Sequence, residues 1–291
     1  MKHAPIVSVL MTAYNREEYI AEAIESVLNS SFKDFELIIV DDCSTDNTLS
    51  IAKAFETRDD RIKVYLNEKN LGDYNNRNKA ASYAQGKYLK YLDADDLIYS
   101  HGLEVMINSI EKFPDAAFGT QSNLREDLVP YPILLDSKSS YYEHYFKGGV
   151  FLSGPTGVII NREKFLSVGG FSGKRYIGDT ELWLMLAAKH KIVKFQPSLI
   201  WWRTHNDQEI NKERQSFDPV LKRYELDKRM ICSDASPLNT KQKKQAFKQL
   251  NRRFILNTLF FLFFRSNRIK TLTNFIEARL GFFNILQAIF N

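Results

Sequence analysis

The 291-residue chain is long enough to bury a sizeable core, and its 44% apolar and 26% charged residues exclude a disordered or fibrous protein. Its net charge of +5 is unevenly divided: residues 1–218 carry a net −5 and residues 219–291 a net +10. An acidic body speaks against a nucleic-acid-binding protein and gives the basic tail a task of its own.

The first hundred residues alternate strand and helix. Ile6–Thr12 is a short apolar, β-branched run, and Glu17–Asn29 follows with Ile20, Ala23, Ile24, Val27 and Leu28 at helical spacing. Phe35–Val40 predicts a second buried strand ending in Asp41-Asp42. Ser44-Thr45-Asp46 then caps a helix with Leu49, Ala52 and Phe55 inward. Lys63–Leu66 predicts a strand, Tyr74–Ala84 a helix, and Lys87–Leu92 a strand running into Asp93.

Beyond these, Ser100–Phe113 predicts a helix and Ala116–Thr120 a strand. Residues 125–149 are loop-like, and 137–149 have the aromatics and glycines of a mobile lid, with a plain surface loop as the alternative. Thr156–Ile160 predicts a strand, Gly169-Gly170-Phe171 a turn, Thr180–His190 a helix opened by Asp179, and Ile192–Phe195 and Leu199–Arg203 two strands. From Pro219 onward the pattern is helical and basic. The fold class is therefore α/β, Rossmann-like, with a mainly parallel sheet, flanking helices and a C-terminal helical appendage. The expected division is a catalytic domain over 1–218 (halves of about 1–99 and 100–218) and a C-terminal region over 219–291.

Cys43 and Cys232 have no metal-type spacing and fit two free thiols of a reducing cytosol. The apolar segment Ile6–Met11 is too short for a secretory leader. The stretch Phe254–Phe264 would rise about 16 Å as a helix, roughly half of a bilayer core, so it should not span one. Neither G-x-G-x-x-G after the first strand nor G-x-x-x-x-G-K-[ST] occurs, so phosphate must be handled by another device.

That device is Leu92-Asp93-Ala94-Asp95-Asp96, directly after a hydrophobic strand. On a doubly wound sheet ligands bind at the carboxyl ends of strands, where Asp41 and Asp93 both fall. Carboxylates leaving one strand can share a hard divalent cation, Mn²⁺ or Mg²⁺, which would bridge phosphate oxygens and offset the charge of a departing diphosphate. A polar turn that caps a helix beginning near Leu97 would use the same residues; Asp96 suits that capping role, the alternative being that it assists in holding the metal.

Several motifs in order carry a family resemblance. Val7-Ser8-Val9-Leu10-Met11-Thr12-Ala13-Tyr14-Asn15-Arg16, Ala23-Ile24-Glu25-Ser26-Val27-Leu28, the run Phe35 to Asp46, Asn70-Leu71-Gly72 with Arg77-Asn78, and Leu92 to Asp96 together resemble the family 2 inverting glycosyltransferases over about residues 5–205. The resemblance implies a GT-A fold and transfer of a sugar from a nucleotide-diphosphate donor, a UDP-sugar first, to an acceptor hydroxyl. It also implies roles: Thr12, Tyr14 and Asp41 embrace the base, Arg77 lies near it, Asp93 lies near ribose and sugar, and Asp95 is the principal metal ligand. Asp179 falls on the position of the general base, with Gly178 where the family pattern has Glu; Asp179 also suits a helix N-cap, and Glu181 is the alternative base. Trp201-Trp202-Arg203-Thr204-His205 resembles a segment that closes over the diphosphate, giving Arg203 to phosphate and His205 to the metal or a phosphate. The two tryptophans would pack the domain or shape the acceptor pocket.

Residues 241–279 hold ten Lys/Arg and one acid, Glu277, among many apolar aromatics. Such a segment matches a helix lying in an anionic membrane surface, bringing the enzyme to a lipid-linked or polysaccharide acceptor at the inner face of the cell membrane. A helical appendage packed on protein, or a homo-oligomer contact, is the other reading. Two rival functions remain: a sugar nucleotidyltransferase, which would need a Gly- and Lys/Arg-rich loop where Ala13-Tyr14-Asn15-Arg16 stands, and a non-catalytic nucleotide-sugar-binding or membrane-associated scaffold, hinted at by Gly178.

Overall fold

The computed structural model describes residues 4–122, 130–205 and 216–264. They form two compact units: Met1–Ser140, Gly149–Lys174 and Gly178–Arg203 in the first, Tyr141–Gly148, Arg175–Ile177 and Thr204–Asn291 in the second.

The first unit is built on strands β1 (Val7–Ala13), β2 (Phe35–Asp41), β3 (Ile62–Leu66) and β4 (Tyr88–Asp93), which are parallel in the order β3-β2-β1-β4. β1 and β2 are near-continuous apolar runs because parallel strands with helices on both faces are buried on both sides. The connecting helices are α1 (Ile20–Leu28), α2 (Thr48–Glu56) and α3 (Asp73–Tyr83). α1 buries Ile20, Ala23, Ile24 and Val27, the positions the 3.6-residue period selected.

After β4 the chain forms β5 (Leu97–Ile98), α4 (Gly102–Ile110), β6 (Phe118–Gln121), β7 (Ile133–Leu135), α5 (Ser137–Phe146), β8 (Val158–Asn161), α6 (Arg162–Ser167), α7 (Gly178–Lys189), β9 (Ile192–Phe195) and β10 (Ile200–Trp201). Strand β8 runs antiparallel between β4 and β6, and β9 and β7 complete an eight-stranded sheet. Strands β5 and β10 pair separately, Ile98 with Ile200 and Leu97 with Trp201. The fold is thus the expected mainly parallel, Rossmann-like GT-A arrangement with flanking helices.

Two expectations are corrected. Residues 137–146 are helix, not a lid loop: Asp136 accepts the Ser139 N–H at 2.7 Å through Oδ1 and the Ser140 N–H at 2.9 Å through its carbonyl, and Tyr141 is fully buried. No helix starts near Leu97, where β5 follows instead, so Asp96 caps nothing; its carboxylate is buried and accepts the Arg203 N–H at 3.1 Å.

In the second unit, helices α8 (Asp218–Cys232) and α9 (Thr240–Phe264) pack along their aromatic faces. Tyr224 stacks on Phe254 with ring centroids 4.3 Å apart, and Tyr224 donates to Asn251 at 3.0 Å. No helix among the described residues is long and apolar enough to cross a membrane. Both cysteines are free thiols.

Candidate active site

Strand register assembles the first half of the site. Thr12 on β1 lies beside Val40 on one side and Asp93 on the other, and Ala13 lies beside Asp41, so Thr12, Asp41 and Asp93 share the carboxyl edge of the sheet. The loops that follow β1 and β2 are stapled together. Asn15, at φ 51°, accepts the Thr45 N–H at 2.8 Å, while its own N–H donates to Ser44 Oγ at 2.9 Å. Asp41 is 1% exposed; Oδ1 accepts the Ser44 N–H at 2.8 Å, and Oδ2 is buried without a partner. A buried carboxylate oxygen left open at a sheet edge is the acceptor that a ring N–H would satisfy. Tyr14, the residue after β1, is 45% exposed.

Asp42 organises the next turn. Its buried carboxylate accepts the N–H groups of Leu71 and Gly72 at 2.8 and 2.9 Å and the Asn67 side-chain amide at 2.7 Å. Gly72 takes φ 78°, which a side chain would strain, and its carbonyl starts α3. That turn delivers Arg77 to the site. Arg77 pairs with Asp93 Oδ1 at 2.7 Å and with Asp73 Oδ1 at 2.8 Å, and its Nη1 is buried without a partner. Burial alone would lower its pKa, but the charges of Asp73 and Asp93 outweigh burial and hold the guanidinium protonated.

Asp93, Asp95 and Asp96 place ligand oxygens within 4.8 Å of one another. Three converging carboxylates form an all-oxygen donor set that fits a hard divalent cation. Burial first, then the charges of Asp93 and Asp95, push the Asp96 carboxyl up to about 8. Positive groups offset this crowding. Arg16 Nε bonds Asp95 Oδ2 at 2.9 Å, and Lys90 is fully buried in β4, donating to the carbonyls of Tyr91 and Thr156. Burial pulls the Lys90 ammonium down to about 7, with Asp93 and Asp96 opposing. Neither Arg16 nor Lys90 was singled out from the sequence; a charged residue inside an otherwise apolar strand is the one signal that marked Lys90.

Arg203 braces the same loop: its Nε donates to the Asp95 carbonyl at 2.9 Å, and its Nη2 pairs with Glu22. Its guanidinium also lies over Trp201, 4.9 Å from the ring centroid. Trp201 and Trp202 are 42% and 47% exposed, so they do not pack the core. His205 belongs to the second unit and is not part of the carboxylate group.

Asp179 lies in the first turn of α7, where Oδ1 accepts the Thr180 N–H at 2.6 Å. The glycine turn upstream is clamped to α3 by Asn78, which accepts the Phe171 N–H at 2.9 Å and donates to the Phe171 carbonyl at 2.8 Å. Glu181 is buried and committed to that turn through Ser172 and, at 2.8 Å, Lys174.

The model of the family described as Glycosyl transferase family 2 matches residues 8–169. The chain is 35% identical over 187 residues to TuaG of Bacillus subtilis strain 168, whose name assigns it to teichuronic acid biosynthesis, covering 64% of this chain and 73% of that one. It is 28% identical over 190 residues to the GalNAc(5)-diNAcBac-PP-undecaprenol beta-1,3-glucosyltransferase of Campylobacter jejuni, covering 62% of this chain and 60% of that one. The fold also matches S. aureus TarS 1–349 in complex with UDP, with a TM-score of 0.70 at 20% identity over 94% of this chain and 80% of that one. The chain belongs to glycosyl transferase family 2 and is a glycosyltransferase.

Proposed function

We propose that this glycosyltransferase moves a sugar from UDP to a hydroxyl of a lipid-linked or polysaccharide glycan, with inversion at the anomeric carbon. The observation that carries the reading is the convergence of Asp93, Asp95 and Asp96 at the sheet edge that also holds the open oxygen of Asp41 and the open Nη1 of Arg77. A related fold was solved with UDP, and a relative is named for an undecaprenol-linked acceptor, which supports both ends of the reaction.

In this mechanism Asp41 and Thr12 hold the uracil, with the Tyr14 ring against it, and Arg77 positions Asp93 toward the ribose and sugar. Asp95, with Asp93 and Asp96, would hold Mn²⁺ or Mg²⁺, which supplies positive charge to the departing diphosphate. Arg203, whose Nε donates to the Asp95 carbonyl, stands as a further group for phosphate. Asp179 takes the proton of the acceptor hydroxyl as its oxygen bonds to the anomeric carbon, and the bond from that carbon to the diphosphate oxygen breaks on the opposite face. UDP leaves with the bonding electron pair.

The test is a pair of variants assayed with UDP-sugars and Mn²⁺. Asp95→Ala should lose turnover together with UDP affinity, whereas Asp179→Asn should lose turnover by about 10²-fold or more and keep UDP affinity in calorimetry. Near-normal turnover by Asp179→Asn removes the base assignment.

The exposed face of α9 supports peripheral contact with an anionic membrane at the inner face of the cell. Lys241, Lys244, Lys248, Arg252 and Arg253 are exposed along its first half, and Leu256, Phe260 and Phe263 along its second. The basic and aromatic residues from 265 onward that entered the sequence argument lie outside the described residues.

A further inference from the structure

The segment Phe171–Lys174 is held from two sides, by α3 and by the first turn of α7. From α3, Asn78 spends both ends of its carboxamide on one residue: Oδ1 accepts the Phe171 N–H at 2.9 Å and Nδ2 donates to the Phe171 carbonyl at 2.8 Å. The pair imitates one rung of a β-ladder, so it fixes the rotation of residue 171 as well as its position. Gly170 sits at φ 72°, and a Cβ there would stand 2.6 Å from Asn78 Oδ1, so the contact leaves no room for a side chain. The buried Phe171 ring meets Tyr74 of α3, Tyr91 of β4 and Trp183 of α7 at centroid distances of 5.3, 5.5 and 6.2 Å.

From α7, buried Glu181 holds the other end. Its Oε2 accepts the Ser172 hydroxyl and its Oε1 pairs with Lys174 at 2.8 Å, so both carboxylate oxygens are engaged with the segment. Residues two apart on a helix lie about 200° around its axis from one another, so Asp179 and Glu181 leave α7 on different sides. We infer that Glu181 and Asn78 are positioning residues, the two ends of a strut that sets the first turn of α7 against α3. The inference rests on the base role of Asp179 proposed above, and it assigns the second acid of that turn to structure around the base. Helix α3 also carries Arg77, the partner of Asp93. The strut therefore ties the donor end of the site to the base, and an error of about 1 Å between such groups costs on the order of 10²-fold in rate.

Steady-state kinetics, with calorimetry of UDP and Mn²⁺, tests this on variants of both ends. Glutamine keeps the length of Glu181 and an oxygen for Ser172 and Lys174. Glu181→Gln should therefore hold kcat within about three-fold of wild type, whereas Glu181→Ala should lower it about 10-fold or more with UDP affinity within about two-fold. Asn78→Ala should show the same split, and the double variant should be no slower than the slower single one, since both cut one strut. Ser172→Ala with Lys174→Met guards against misfolding: both residues are exposed, and their loss should lower kcat in the same way while α7 keeps its sequence. Glu181→Gln as inactive as Glu181→Ala, wild-type kcat in Glu181→Ala, multiplied losses in the double variant, or parallel loss of kcat and UDP affinity would overturn the inference. Asp179→Asn separates the two levels. An inactive Asp179→Asn beside a wild-type Glu181→Ala removes only the positioning role, whereas an active Asp179→Asn beside an inactive Glu181→Gln makes Glu181 the base and removes both.

Discussion

Asp41 and Asp42 are neighbours with the same side chain and opposite tasks. Asp42 spends its carboxylate on the Leu71 and Gly72 N–H groups, while Asp41 keeps one buried oxygen open. The strand-end position of Asp41 was legible in the sequence; the division of labour was not, because it depends on which way each side chain leaves the strand. His144 shows a further effect invisible to sequence. It is buried in the second unit, 3.2 Å from Arg223 Nη2, and burial, then Arg223 and Arg253, hold its pKa well below 6.5. The fold thus keeps the ring neutral, whereas the unfolded chain takes up a proton as pH falls through 6.5, so stability drops with falling pH from there downward. Asp227 in the same cluster is shifted up by burial, and its contribution has the opposite slope, being lost as pH rises above the ordinary 3.8 toward its folded value. Thermal melts of wild type and His144→Gln between about pH 7 and about pH 5.5 should show a falling Tm in the wild type and a flatter profile in the variant. Identical slopes would assign the acid sensitivity elsewhere.

The elements best read from sequence were the parallel strands and their helices, since an apolar run next to a 3.6-residue pattern leaves little choice of structure. β1, β2, β4, α1 and α3 all lie within a few residues of their expected bounds. Short elements were missed: β5 has two residues, β7 has three, and α6 has six, too few for any period to show. Residues 137–146 were misread because their tyrosines and serines carry no amphipathic stripe, and the turn at Asp136 that starts the helix is a local hydrogen-bond device. Close backbone approaches are also hidden. Gly86 donates to Ser8 Oγ at 2.9 Å, and a Cβ there would stand 2.5 Å from the Ser8 backbone nitrogen. Strand β1 lies between β2 and β4 and has no room to yield, so Gly86→Ala should cost about 1–3 kcal/mol by denaturant titration. A loss below about 0.5 kcal/mol would show that this edge of the sheet relaxes.

For the whole molecule, the charge split seen in the sequence corresponds, among the described residues, to a basic, aromatic exposed face on α9, and no described helix is long and apolar enough to cross a membrane. Flotation of the full chain with vesicles containing anionic lipid should retain far more protein than flotation of a chain ending before Thr240, and salt should weaken the retention. Equal retention would remove the membrane role and leave the transferase reading intact. That reading depends on acidic side chains gripping a cation at the sheet edge. The direct measurement is sugar transfer from a UDP donor with Mn²⁺ and with excess chelator, in wild type and Asp95→Ala. The account predicts turnover that is abolished by chelator, restored by added Mn²⁺, and absent in Asp95→Ala under either condition. Full turnover in excess chelator would contradict it.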